Sequence, residues 1–576
     1  MRRRTGLAVG LLVAIQAFLA WGVFVPAPHP GGDNAGYVAL GHALTSGEGY
    51  TEVWDPARPP HTKYPPVFPL LLAVAIGVGV QGWVGLKAVT LLATLAVAPG
   101  VFLWTRTRLP ETVAFGVALV TALSPSLLYH SHWVLSDVPF LAFTVWALWA
   151  ASGGGGVAVP GALQGERPPV VEAGEGSVAP GTSPGISRLR WLALASLVLL
   201  AAFTRSAGLP LAAAVVLALA WDRHLRPAIG VAVAVGLPVA FWWIRGRNAV
   251  AAEGRYTREF FLLDPYQPDL GPASLGDFLT RVVENLTGYL TRFLPEALVG
   301  SQGAFAAVTT LVVVVLAGVA WIRSLRAGRP GVVGLFIPLY LGVILLWPAV
   351  WSGDRFALPL VPVLLALAAE EVWRLGTRRG EAARTGALAV LGLALLLPAA
   401  MDWVEAREEA NRCRALARID GPWACGGPAL VDFAAAAQWA GANLPEGSAV
   451  LTRKPRIWYV NSALPTRTYP FSEAPDALRR SADAAGARHV VLDYVGGQGT
   501  RFVGGALFSD PAAFCEAAAV GGEGGVPPTR ILEMLPPGQD SGSRVSDQGI
   551  RLARCPGTEG APSRSRSREG IPILER

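Results

Sequence analysis

Long apolar runs broken by short polar segments organise residues 1–400. Residues 5–25 form an uninterrupted run of spanning length behind Arg2, Arg3 and Arg4, so the amino terminus is expected in the cytoplasm, with the helix exiting outward. No small-residue cleavage site followed by a soluble domain closes this run, which reads as a retained helix and not a signal peptide. Further runs occupy 84–104, 111–129, 138–151, 192–203, 209–221, 229–244, 304–322, 332–347, 357–373 and 387–400. Residues 66–80 are apolar but too short to span, and read as a re-entrant or interfacial helix. With that segment left out, about eleven helices place the TRTR, DRHLR, RSLRAGR and GTRRGEAAR loops together on the cytoplasmic side; counting it as spanning reverses every later loop.

Two long polar segments, 26–83 and 245–303, then fall outside. Residues 152–187, rich in Gly and Pro, read as a disordered cytoplasmic loop. From residue 401 apolar density drops and the pattern mixes. AVLTRKPRIWYV and RHVVLDYV look like short buried strands and VDFAAAAQWAGANL like a helix, which predicts a small extracytoplasmic α/β domain over 401–555. Residues 556–576, including PSRSRSREG, are low in apolar content and are expected to be disordered.

Composition agrees with the membrane reading: 52% of the 576 residues are hydrophobic and 15% charged, with a mean hydropathy of +0.42. The net charge of +7 sits mostly in short loops beside apolar runs, where it orients helices; it does not indicate nucleic acid. All four cysteines, Cys413, Cys425, Cys515 and Cys555, follow the last run, which points to disulfides in an oxidising compartment. Four cysteines permit three connectivities, with Cys413 and Cys425 the closest pair in sequence.

The first outer segment is overequipped for a connector. Asp33, in GGDNAGY with Tyr37 one helical turn on, could remove a proton from an attacking hydroxyl at a boundary with restricted water. It could equally cap the helix that follows. Asp137, in SHWVLSDVPF, has the same two readings, as an assistant to the base or acceptor contact and as a cap. Cations break the arginine-inside pattern at Lys63 in HTKYPP, Lys87, Arg205 in FTRSAGLP and Arg355 in WSGDRF beside Asp354. Cations at membrane depth usually have partners, and a lipid phosphate would satisfy several at once. Ion pairing, such as Asp354 with an arginine of another helix, and snorkelling to ordinary lipid phosphates are the alternatives. His29, His42, His61, His130 and His132 could hold a divalent metal with Asp33, but no established ligand spacing appears and no cofactor is assigned.

Taken together and in order, GGDNAGY, HTKYPPVFPLLL, VLSDVPF, FTRSAGL and WSGDRFALPLVPVLL resemble the GT-C glycosyltransferases that use polyprenyl-phosphate sugars, in the branch of protein O-mannosyltransferases and lipid A aminoarabinose transferases. The resemblance implies a GT-C-like all-α transmembrane domain. It implies that Asp33 corresponds to the catalytic acid of the first loop, and that Lys63, Arg205 and Arg355 belong to the lipid-phosphate site. Tyr37, Tyr64, Lys87 and Asp354 complete the candidate substrate-binding set, with Asp137 beside Asp33 as a candidate catalytic residue. The sequence departs from many relatives in having Asn34 after Asp33 where an acidic pair is common, which argues against a metal-dependent mechanism. The expected activity is inverting sugar transfer, at the plasma (inner) membrane, from a polyprenyl-phosphate donor to an extracytoplasmic acceptor: a protein, a lipid or a cell-envelope glycan. A transporter or flippase of lipid-linked sugars would also want outer cations, but no paired halves appear. A non-catalytic scaffold leaves Lys63, Arg205 and Arg355 without a reason.

Overall fold

A computed structural model describes residues 2–152, 188–247, 256–267, 270–328, 330–376, 380–522, 525–547, 549–556 and 570–575; the loop expected at 152–187 lies outside them from 153 onward. Among the described residues six helices are long and apolar enough to cross a membrane, and five further apolar helices run 10–17 residues. The fold is a helical membrane domain with a small sheet domain at the carboxyl end.

Helix α1 (Arg2–Gly22) is followed by a loop and α2 (Gly32–Thr45). Helix α3 (Val67–Gly77) has only 11 residues, about 16 Å at 1.5 Å per residue, half of a bilayer core. The next span covers Trp83–Thr105. Helix α4 (Asp137–Ser152) begins at the turn that carries Asp137. The second long polar segment holds a helix, Leu275–Gly288, closed by a Ser274/Asp277 capping box. Helix α5 (Gly331–Leu346) leads to the turn with Asp354 and Arg355.

The basic loops gather at one end of the bundle. Arg106 donates to Thr5 near the start of α1, and Arg108 pairs with Glu370 at 3.7 Å. Arg323 and Arg374 close on the buried Glu371. Such buried ion pairs hold register only as complete sets, because removing one partner leaves an uncompensated charge.

The last span differs from expectation. Helix α6 (Glu381–Asp420) continues unbroken for 20 residues past Ala400, through MDWVEAREEANRCRALARID. That segment is polar but rich in strong helix formers, Ala, Glu and Arg, so helicity persists after apolar character ends. Beyond it, α7 (Pro428–Asn443) packs on a five-stranded sheet of β1 (Ala449–Leu451), β2 (Thr466–Arg467), β3 (Ala487–Leu492), β4 (Phe514–Val520) and β5 (Thr529–Met534), in the order β2-β1-β3-β5-β4. β1 runs parallel to β2 and β3, while β5 runs antiparallel to β3 and β4. The expected strand AVLTRKPRIWYV is strand only at Ala449–Leu451; Pro455–Ser462 forms helix α8 with Pro455 in its first turn, where the missing N–H costs nothing and the fixed φ suits a helix. Disulfides join Cys413 to Cys425 and Cys515 to Cys555.

The expectation of a disordered tail fails at its end. Helix α9 (Pro572–Glu575) buries Ile571, Ile573 and Leu574, and Gly570 bridges to Gly82. Three aliphatic residues in IPIL are enough to anchor a segment that polar neighbours made look unstructured.

The two domains share a core. Tyr37, Trp54, Tyr64 and Phe68 of the first polar segment lie in one apolar cluster with Phe433, Trp458 and Ile573. Thr466 donates its backbone N–H to the Trp54 carbonyl at 2.6 Å, and Arg467 forks onto Asp55 at 2.8 and 3.0 Å. The α/β domain therefore sits directly on the segment that carries Asp33.

Candidate active site

Between the domains lies a cavity of about 620 Å3 whose wall includes Asp33, Tyr37, Lys63, Tyr64, Asp137, Arg205 and Arg355. One flank is apolar, with Val343, Ile344 and Trp347 from α5 and its end. Another part of the wall comes from the α/β domain: Arg453, Lys454 and Arg456 line it at the start of α8.

Asp33 stands in the first turn of α2, where Gly31 is the cap residue and no side chain caps the helix. Capping is therefore not its role. The carboxylate accepts from the Tyr64 hydroxyl at 2.7 Å and lies 3.3 Å from Arg355 Nη1 and 3.6 Å from Arg456 Nη1. Burial pushes this carboxyl up, but Arg355 and Arg456, together with the Tyr64 phenol, hold it well below the usual carboxylate range. Arg456 also donates to the Tyr64 hydroxyl and stacks on the Trp54 and Tyr64 rings, 5.2 and 5.1 Å from their centroids. Room for it exists because α2 has glycine at 36: a Cβ there would sit 2.8 Å from Arg456 Cδ.

Asp137 is buried at the start of α4 and paired with Arg205. Arg205 lies 5.0 Å over the Phe356 ring, so its guanidinium is held from two sides. Ser136, one residue before, shares a 2.9 Å hydrogen bond with the Tyr37 hydroxyl. Lys63 pairs with Glu259 at 3.0 Å and lies 5.2 Å over Trp351. His29 borders the cavity, accepts from the Gly31 N–H at 3.0 Å, and is lowered to about 4 by burial and by neighbouring His130. It is neutral at pH 7.

Two candidate substrate-binding residues are misplaced by the sequence reading. Lys87 does not reach the cavity: it is fully buried, donates to the carbonyls of Val25 and Ala27 at 2.6 and 2.5 Å, and lies 4.8 Å over Trp133. Those two carbonyls sit where the chain leaves α1 without helical partners, and the lysine satisfies them. Asp354 is also off the cavity wall. It accepts from the Ser126 hydroxyl at 2.7 Å and lies 3.1 Å from His130 Nε2, and among the described residues it has no arginine partner of the kind considered above. It braces the turn from which Arg355 projects.

Arg453, Lys454 and Arg456 were missed. Arginines in a soluble domain carry no signal by themselves, and only the docking of that domain brings them over Asp33. The usable hint is KPR, where a proline opens a helix with cations around its first turn.

The donor set suits a divalent cation poorly. Asp33 already faces two guanidinium groups, Asp137 is taken by Arg205, and His130 is taken by Asp354. Among the described residues, Cys515, Glu533 and Cys555 have ligand-like spacing, but their sulfurs are joined in the disulfide.

A helical membrane domain with an α/β domain set over a polar cavity is a GT-C-like fold. Among solved structures, the chain is similar to ArnT from Cupriavidus metallidurans in the apo state, at 13% identity and a TM-score of 0.51 over 92% of this chain and 98% of that one. The same enzyme bound to undecaprenyl phosphate matches at 14% identity and a TM-score of 0.50, over 83% and 88%. The Archaeoglobus fulgidus oligosaccharyltransferase tethered to an acceptor peptide matches at 14% and 0.52, over 88% and 72%. No family model matches the chain, and neither does the sequence of any curated protein. At such low identity the likeness establishes the fold.

Proposed function

We propose that this protein is an inverting glycosyltransferase that moves a sugar from a polyprenyl-phosphate donor to an acceptor hydroxyl, at the extracytoplasmic face, which is the face carrying the α/β domain. The observation that carries this reading is the single cavity in which Asp33 meets Lys63, Arg205 and Arg355, next to the apolar residues Val343, Ile344 and Trp347. An anionic headgroup on a long hydrocarbon needs that combination, cations at a bilayer boundary beside an apolar wall. The solved ArnT complex with undecaprenyl phosphate supports the choice of donor class.

Asp33 is ionised at neutral pH and accepts the proton of the acceptor hydroxyl as its oxygen bonds to the anomeric carbon. The bond from that carbon to the phosphate oxygen breaks, and the departing polyprenyl phosphate leaves with one more negative charge than the diester carried. Lys63 and Arg205 meet that growing charge, with Asp137 and Phe356 orienting Arg205. A carboxylate of low basicity serves here, because the hydroxyl becomes acidic only as its oxygen commits to the new bond.

Asp33→Asn keeps the shape and removes the base. Radiolabel leaving a polyprenyl-phosphate sugar, in native membranes that supply the acceptor, should slow by about two to four orders of magnitude at near-normal expression. Near-wild-type turnover would remove Asp33 from the reaction.

A further inference from the structure

Six cationic side chains line the cavity, Lys63, Arg205, Arg355, Arg453, Lys454 and Arg456, against three carboxylates, Asp33, Asp137 and Glu259. The charge is unevenly answered. Lys63 has Glu259, Arg205 has Asp137, and Arg355 and Arg456 share Asp33. Arg453 and Lys454 form no salt bridge among the described residues. Lys454 donates to the Pro30 carbonyl at 3.1 Å. Arg453 lies 5.0 Å from the Phe471 ring and 6.0 Å from that of Tyr266, and among the described residues its buried Nε has no hydrogen-bond partner.

Two adjacent cations on a cavity wall repel one another; Asp493 acts on both from beyond ion-pair distance and burial opposes its charge, so a bound anion relieves the pair. Two rings beside the guanidinium restrict it, and its paired N–H donors suit a planar or tetrahedral anion. Helix α8 starts at the same point, so the positive end of its dipole adds to the two charges. Lys454 feels the carboxylates of Asp493 and, more weakly, Asp33; the pair belongs to the α/β domain, whereas Lys63 and Arg205 project from the membrane domain.

We infer that Arg453 and Lys454 form a second anion subsite that seats a phosphate or carboxylate of the acceptor, close to the hydroxyl that accepts the sugar. The inference rests on the glycosyltransferase reading and narrows it: the acceptor is an anionic molecule and is not a neutral glycan or an uncharged peptide segment. The same cations could instead hold the donor phosphate, and the experiment separates the two.

Full-length protein in nanodiscs is saturated with undecaprenyl phosphate and titrated with radiolabelled glycerol 1-phosphate, with glycerol as the neutral control. The expected result is saturable binding of glycerol 1-phosphate to the saturated protein and none of glycerol. Arg453→Gln/Lys454→Gln should weaken it at least tenfold, with undecaprenyl phosphate affinity within twofold of wild type. Arg453→Lys/Lys454→Arg should recover part of the loss, and Lys454→Gln alone, which keeps the stacked arginine, should show an intermediate one if the double variant does not fold. Competition between the two ligands for one locus, equal loss of both in the double variant, or unchanged glycerol 1-phosphate binding would overturn the inference. Glycerol 1-phosphate binding that depends on Arg453 and Lys454, in a protein that ignores undecaprenyl phosphate, would support the subsite and sink the donor assignment instead.

Discussion

Asp33 is held by three neighbours, and each can be removed separately. Taking Arg456 to Gln removes one of the three cations that depress its carboxyl, so the folded value should rise toward the ordinary 3.8. The sign follows: protonated Asp33 cannot act as a base, so the acid limb of kcat/KM should move to higher pH while the rate on the plateau changes less. An Arg456→Gln profile superimposable on wild type would show that the guanidinium does not tune the base. Arg205 makes a different prediction. Its partner Asp137 is buried, so Arg205→Ala leaves that carboxylate uncompensated. If Arg205 also meets the departing phosphate, the surviving protein should bind a polyprenyl-phosphate sugar more weakly and transfer it more slowly, with partial rescue by Arg205→Lys. Unaltered affinity and rate in a stable variant would leave Arg205 a purely structural ion pair. For Lys87 the expectation is reversed: Lys87→Met strands two buried carbonyls at about 1–3 kcal/mol each, lowering the yield of folded protein without changing donor affinity in what remains.

At the scale of elements, α2 and α8 fit by the absence of a side chain at Gly36. Gly36→Ala should favour the helix itself by up to about 1 kcal/mol while pushing Arg456 aside, so thermal stability should hold and the acid limb of the rate profile should still shift. A destabilised variant with an unshifted profile would contradict this. Strand β3 is followed directly by a buried acid, Asp493, whose carboxyl is pushed up to about 6 by burial. An acid raised in the folded state opposes folding once the pH passes its unfolded value, so the α/β domain should lose stability as pH climbs from about 4 through 6. Asp493→Asn should then raise the melting temperature at pH 7.5, by the equivalent of up to about 3 kcal/mol, and have little effect at pH 4. The elements also show where reading the sequence succeeds and stops. Runs such as 84–104 and 304–322 announce helices because a bilayer demands about 20 apolar residues. The α8 segment defeated the same logic, since PRIWYV is β-branched and aromatic yet has a proline in the first turn. Lys63, Arg205 and Arg355 were legible as cations out of place; Lys87 gave the same signal for a different cause, because a pair of backbone carbonyls satisfies an ammonium as a phosphate would. Lys454 and Arg456 depend on contacts to Pro30 and Tyr64, far away in the first polar segment, and Arg453 on the ring of Tyr266 in the second, which no local pattern encodes.

For the whole molecule, the basic loops lie at the end of the bundle where Arg106 meets Thr5 near the amino terminus, away from the α/β domain. From the inside preference of arginine we propose that this end faces the cytoplasm. A cysteine placed at Gly328, in the RSLRAGR loop, should be shielded from an impermeant thiol reagent in intact cells and labelled after permeabilisation; labelling in intact cells would invert the molecule. The 40 residues of α6 span about 60 Å and carry the chain from the membrane to the first disulfide. Along the way α6 grips α1 and the residues just past its end, Trp403 donating to the Leu19 carbonyl and Arg414 to that of Phe24, each at 3.0 Å. A continuous helix works as a drive shaft, and its angular phase is counted in residues. One residue inserted between these grips would turn everything beyond it by about 100° and swing Arg414 and Cys413 away from their partners. Seven would bring the bearing back to within about 20° but raise the far end by about 10 Å. The distance and the bearing of Arg456 from Asp33 are therefore both written in the number of residues between Trp403 and Arg414, whatever those residues are.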